Sequence, residues 1–182
     1  MDMKLTESES TMLSDFSQLR TRVNGVICRE SPQLLWKIHN WKEKQLAAKL
    51  RLEPWILSPV FNSEAFGYRL ISMVAPYGYD KGFGNALSIF LQILPGEFDP
   101  LLEWPFNKTI TVTLYDQKDA LLKRKNYQYE LRTSKTPHGY LQKPSEHKPN
   151  APFGCELFCP LNTVMEGTYV KEDTVIIGIQ IS

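Results

Sequence analysis

Three histidines, three cysteines, a glycine-rich segment and a basic stretch are the places where this 182-residue sequence could do chemistry. His39, His138 and His147 are too scattered for the paired spacing that sets two imidazoles on one helix face around zinc. Cys155 and Cys159 have no second Cys or His pair at zinc-ligand distance, and Cys28 stands far away, so neither a metal site nor a disulfide framework is expected. That usage predicts buried, reduced thiols in a cytoplasmic protein. The segment Gly78-Tyr79-Asp80-Lys81-Gly82-Phe83-Gly84 could cradle a phosphate, yet it lacks both the Gly-Lys-Ser/Thr ending and the Gly-x-Gly-x-x-Gly spacing. It is expected to be a hairpin turn. No serine occupies a Gly-x-Ser-x-Gly elbow, and no Cys–His–acid constellation can be assembled from spacing, so no enzyme activity and no cofactor is predicted.

The remaining chemical signal is electrostatic. Residues 118–148 hold eight bases against three acids, whereas the whole chain carries a net charge of only +1. A chain-wide field that would draw the protein onto nucleic acid is therefore excluded, and any anion binding must be local. Lys123, Arg124 and Lys125 are the candidates for such a contact, with an anionic lipid headgroup or an acidic peptide as partner. A charged, solvated loop explains the same residues equally well.

The elements that must position these groups change character near residue 30. Met12, Leu19 and Val26 fall at d, and Phe16 and Val23 at a, of a short heptad pattern. Residues 1–30 are thus expected to form the end of a coiled coil that oligomerises the chain, or a lone amphipathic helix docked on the domain behind it. Glu9 at an a position weakens the seam. From Gln33 onward the sequence is rich in β-branched and aromatic residues, with strands expected at 34–38, 68–75, 87–94, 109–116 and 174–182. Pro-, Gly- and Asn-bearing turns separate them, including a long polar stretch at 142–152. A helix is predicted over Trp41–Leu50 and a single turn at Pro100–Trp104. Many strands, few helices and no βα alternation make residues 31–182 an antiparallel sandwich. No apolar run approaches the roughly 18 residues that would cross a bilayer.

Within that pattern lie longer anchors: Leu35-Trp36-Lys37-Ile38, Ser58-Pro59-Val60-Phe61, Gly67-Tyr68-Arg69-Leu70, the block from Gly96 to Phe106 ending in Trp104-Pro105-Phe106, Leu114-Tyr115-Asp116-Gln117, and Gly154-Cys155-Glu156-Leu157-Phe158. Through them the chain resembles, from about Leu35 to Ile181, the C-terminal domain of the TRAF (TNF receptor-associated factor) family, also called the MATH domain. The resemblance implies an all-β, eight-stranded antiparallel sandwich behind a coiled coil that makes a homotrimer. It further implies an adaptor that binds short peptides of receptor cytoplasmic tails or adaptor proteins by strand addition. Any ubiquitin-ligase activity would belong to segments outside this sequence.

Carried over residue by residue, the resemblance puts the peptide site at Met73, Ala75, Tyr79, Phe90, Val112, Leu141, Pro152, Phe153, Gly154 and Cys155. At three of these positions the sequence departs from the family. Many TRAF domains carry Arg, Tyr and Asp where Met73, Ala75 and Tyr79 stand, and a run of serines where His138-Gly139-Tyr140 stands. The polar grips for an acidic peptide are missing, so altered specificity is expected, with apolar anchors. The competing expectation is an oligomerising scaffold with a degenerate groove that contacts anionic lipid or acidic partners through residues 118–148.

Overall fold

The computed structural model describes residues 31–182. Met12, Phe16, Leu19, Val23, Val26 and Cys28, with the heptad they suggest, lie outside the described residues. Nine strands form two sheets. β1 (Leu34–Ile38), β9 (Val175–Ile181), β6 (Thr109–Leu114) and β7 (Tyr127–Arg132) lie side by side in that order. The second sheet runs β2 (Ile56–Leu57), β4 (Arg69–Ala75), β5 (Ala86–Leu94), β8 (Phe153–Pro160), and β3 (Phe61–Asn62) also pairs with β4. Every pairing is antiparallel. β2 and β3 share one edge position, interrupted at Ser58-Pro59-Val60, where Ser58 N–H still donates to the Ser72 carbonyl and the register slips by one residue. Eight strand positions result, as expected of an all-β sandwich of this type. Residues at strand ends differ from the sequence expectation by one or two positions.

Alternation decides which side chains meet in the middle. In β5, Leu87, Ile89, Leu91 and Ile93 face inward and are fully buried, while Ser88, Phe90 and Gln92 point to the other face. Across the opposite sheet the row Leu34–Ile179–Val112–Tyr129 and the row Trp36–Ile177–Leu114–Tyr127 supply the matching layer. Tyr127 and Tyr129 meet Phe158 of β8 edge-on, at 5.7 and 6.3 Å, joining the sheets. Phe106 is buried and Trp104 half-buried, both edge-on to Tyr68, so the Trp-Pro-Phe block does seat aromatics in and against the core. The helix α1 (Trp41–Lys49) anchors Trp41 in that core. Asp173 serves as its N-terminal partner, its carbonyl accepting from Trp41 N–H and its carboxylate from Lys42 N–H, as the positive end of the helix dipole favours.

Beyond the five strands and the helix expected from sequence lie β2, β3, β7, β8 and a second helix. β7 lies inside the basic stretch, with Tyr127, Tyr129 and Leu131 facing inward and Gln128, Glu130 and Arg132 outward. α2 (Leu161–Glu166) follows β8 directly. The single turn expected at residues 100–104 is a 3₁₀ turn at Asp99–Leu101. Cys159 is buried as expected, and burial pushes its thiol up to about 11. Cys155 is only half-buried.

Candidate functional site: an outer face and a free strand edge

On the outward face of the five-stranded sheet one cross-strand row reads Leu57–Met73–Phe90–Gly154. These residues come from four strands and share a face because antiparallel register puts them directly opposite one another. β8 ends the sheet, so beyond Gly154 the row meets a strand edge that no other strand pairs among the described residues. Gly154 suits that position, because a Cβ there would lie 2.1 Å from the carbonyl oxygen of Ile89.

An aromatic cluster stands on the same face. Trp55 packs against Tyr79 at 4.9 Å and edge-on to Phe90 at 5.4 Å, and Tyr79 meets Phe90 at 6.0 Å. Tyr79 keeps 48% of its surface exposed. It is set there by the β4–β5 connection, a glycine-rich hairpin as expected, with a 3₁₀ turn at Asp80–Gly82 and Gly78 at φ 83°, a backbone angle side-chain-bearing residues avoid. Ser88 holds the connection down: its buried hydroxyl accepts from Tyr79 N–H at 2.8 Å and donates to the Glu156 carbonyl at 2.6 Å. That carbonyl belongs to a bulge in which Glu156, Leu157 and Phe158 together stand opposite Ser88.

Two hollows flank this surface. One of about 260 Å³ is lined by Phe90, Lys135, Thr136, Pro137, Tyr140, Pro152, Phe153 and Gly154, alongside the start of the free edge. The other, of about 420 Å³, lies between the hairpin and the segment after α1 and includes Tyr79, Asp80, Phe83 and Arg51, whose guanidinium stacks 4.4 Å over the Phe83 ring. A third, of about 540 Å³, is on the opposite sheet, touches no residue of this face, and is lined in part by Leu35, Asp116, Arg124 and Lys171.

Of the ten peptide-site residues expected from sequence, Met73, Tyr79, Phe90, Pro152 and Gly154 come together here. The other five turn away from it or are buried, Phe153 touching it only where it lines the smaller hollow. Phe153, only 4% exposed, pairs with Leu91 and points into the core, one residue out of phase with Gly154. Cys155 faces the same interior, opposite Ile89, and it lies against Tyr129, whose pKa is raised by burial first and by the Cys155 thiol second. Val112 belongs to the other sheet and is core, as is Leu141. Ala75 lies on the outer face by parity with Met73, but it has no exposed surface beneath the hairpin. Trp55, Leu57 and Pro137 were missed, and Tyr140 was singled out only as a replacement within the family's serine run. Trp55 had a sequence signal, an aromatic residue directly before a strand, but nothing local to say which strand it would cover.

The bases in and beside residues 118–148 divide into paired and unpaired ones. Arg132 pairs with Glu130 on β7, Lys118 lies 3.8 Å from the Asp116 carboxylate, and Lys171 pairs with Asp119. Lys123, Arg124 and Lys125 remain exposed with no ion pair among the described residues. No group of three potential metal ligands occurs among the described residues.

A sandwich that offers an unpaired strand edge beside an apolar, partly aromatic face is a protein-interaction module, with edge for backbone pairing and face for side-chain anchors. A profile of the TRAF/meprin MATH domain matches residues 53–178, and the chain belongs to this family as a TRAF-type C-terminal domain. It is 32% identical over 144 residues to human TNF receptor-associated factor 2, a match covering 79% of this chain and 28% of that protein. With mouse TNF receptor-associated factor 6 it shares 28% over 184 residues, covering 97% of this chain and 34% of that one. The chain thus spans about a third or less of these relatives. A solved structure of TRAF5 from Notothenia coriiceps superimposes with a TM-score of 0.74 at 28% identity, covering all of this chain and 89% of that one.

Proposed function

We propose that this chain is the peptide-binding module of a signalling adaptor, taking short extended segments of receptor cytoplasmic tails or adaptor proteins. The observation that carries the reading is the row Leu57–Met73–Phe90–Gly154 running out to the free edge of β8. A segment laid along that edge near Pro152–Gly154 gains backbone hydrogen bonds that need no particular side chain, and its anchors rest on Met73, Phe90, Tyr79 and Trp55. With apolar residues in place of the family's polar grips, the preferred anchors are aromatic, aliphatic or Met side chains. Few contacts per site offset the ordering of a flexible peptide, so each site binds weakly. Trimerisation through Met12, Phe16, Leu19, Val23 and Val26 restores avidity toward clustered receptors.

The test is a set of tiled peptides from receptor tails, scored by fluorescence anisotropy. Phe153→Asp is unsuitable, since it buries a charge in the core. Phe90→Asp puts the charge on the outer face instead and is expected to weaken every bound peptide by about tenfold or more, with circular dichroism unchanged. Met73→Arg, which restores the family residue, shifts preference toward acidic peptides, and Tyr79→Asp shifts it toward basic ones. Undiminished binding by folded Phe90→Asp protein places the peptide site elsewhere.

A further inference from the structure

On the other sheet, between β6 and β7, a loop holds two leucines out in solvent. Leu121 is 68% and Leu122 103% exposed, and the next three residues, Lys123, Arg124 and Lys125, are exposed as well. Exposed leucines in a slack loop could fold back onto the surface. These are kept from doing so by bonds at the loop's base. The Asp116 carboxylate accepts from Lys118 N–H at 3.0 Å and Lys125 N–H at 2.9 Å, clamping both ends. Asn126 accepts from Asp116 N–H, Tyr169 O–H donates to the Lys125 carbonyl, and Arg124 Nε donates to the Lys118 carbonyl. Inside the clamp a 3₁₀ turn at Leu121–Lys123 closes the tip, with Lys123 N–H bonded to the Ala120 carbonyl. Both nearby acids are engaged: Asp116 is buried at the base of the loop, and Asp119 pairs with Lys171. The tip is therefore apolar at its summit and positive around it.

We infer that this tip is a membrane-contact finger, inserting Leu121 and Leu122 into the headgroup region of an anionic phospholipid bilayer while Lys123, Arg124 and Lys125 meet the lipid phosphates. Charge complementarity selects an anionic surface. The shape of the summit selects a bilayer over a folded protein: the 540 Å³ hollow at the loop's base takes in Arg124 but neither leucine, and two projecting aliphatic side chains need a shape-matched pocket in a protein but only a fluid apolar layer in lipid. The site lies on different residues from the peptide groove and stands or falls separately from it.

The experiment is co-sedimentation of the full chain with phosphatidylcholine vesicles, with and without phosphatidylserine. Binding is expected only with phosphatidylserine, and it weakens as salt rises. Leu121→Ser with Leu122→Ser lowers that binding by about tenfold, and Lys123→Gln with Lys125→Gln lowers it by roughly thirtyfold. Leu122→Trp, compared with the unsubstituted chain, reports insertion as a blue-shifted emission on the anionic vesicles. Equal pelleting with both lipids overturns the inference, as does unchanged binding by the double serine variant or an added indole emission, in the Leu122→Trp protein, that stays at its aqueous wavelength. Retention by immobilised polyglutamate in the absence of vesicle binding also overturns it, making the tip a contact for acidic protein.

Discussion

Asp116 bears on two parts of the chain at once, because its carboxylate ties the loop after β6 and also accepts from the Thr168 hydroxyl just after α2. Burial alone would raise its pKa, but the hydrogen bonds from Thr168, Lys125 and Lys118 and the Lys118 charge outweigh that, and the folded value is lowered. A lowered folded pKa means that the stabilisation is fully present above the ordinary carboxylate range and drains away as pH falls through it toward the folded value. Asp116→Ala, which leaves those donors without their acceptor, is expected to cost about 1–3 kcal/mol in urea unfolding at neutral pH. Asp116→Asn should show a flatter loss of stability than the parent chain as pH drops below about 4. Parallel acid limbs for the two proteins would mean that Asp116 is not the titrating group. At this scale the sequence was least informative, since Phe153 and Gly154 are neighbours in the chain yet one fills the core and the other lies on the outer face opposite Phe90.

Among elements, the β4–β5 connection governs the site, because it carries Tyr79 and is fastened through Ser88 to the bulge in β8. Ser88→Ala leaves the Tyr79 N–H and the Glu156 carbonyl, both partly buried, without their partner, so a cost of about 1 kcal/mol is expected, with the loss concentrated locally. Hydrogen exchange should quicken at residues 77–84 more than in β5, and groove peptides should bind more weakly. Uniform acceleration across the sheet would instead show that the hydroxyl supports the whole fold. Strands with continuous apolar character, such as β5 and β9, were legible in the sequence. β7 was not, although Tyr127-Gln128-Tyr129-Glu130-Leu131-Arg132 alternates with period two, because the surrounding lysines and arginines made the stretch read as solvated loop. β8 was legible only at its start, because the bulge breaks its alternation at Glu156–Phe158.

For the whole molecule, the heptad from Met12 to Val26 predicts that the full chain assembles into trimers, which light scattering at about tens of micromolar would detect. Leu19→Asp with Val23→Asp should return it to monomer, and a monomeric parent chain would remove the coiled coil from the account. Assembly would also set three weak grooves side by side, which is how a low-affinity edge becomes selective for clustered partners. The sequence by itself determined the class: β-branched runs, turn residues and the Trp-Pro-Phe block are local patterns, and local patterns survive being read one residue at a time. It also pointed to the segments that carry the proposed peptide site, including Met73, Phe90 and Gly154. Only the tertiary structure decided which side chains of those segments face outward. That choice depends on cross-strand register, where a slip of one residue exchanges core for surface, and register is set by pairing between residues distant in the chain. For the same reason Trp55 and Leu57 joined the proposed site unannounced, and Leu121 and Leu122 became a clamped, solvent-facing tip through bonds closed by Asp116 at the loop's own base and by Tyr169 from outside it.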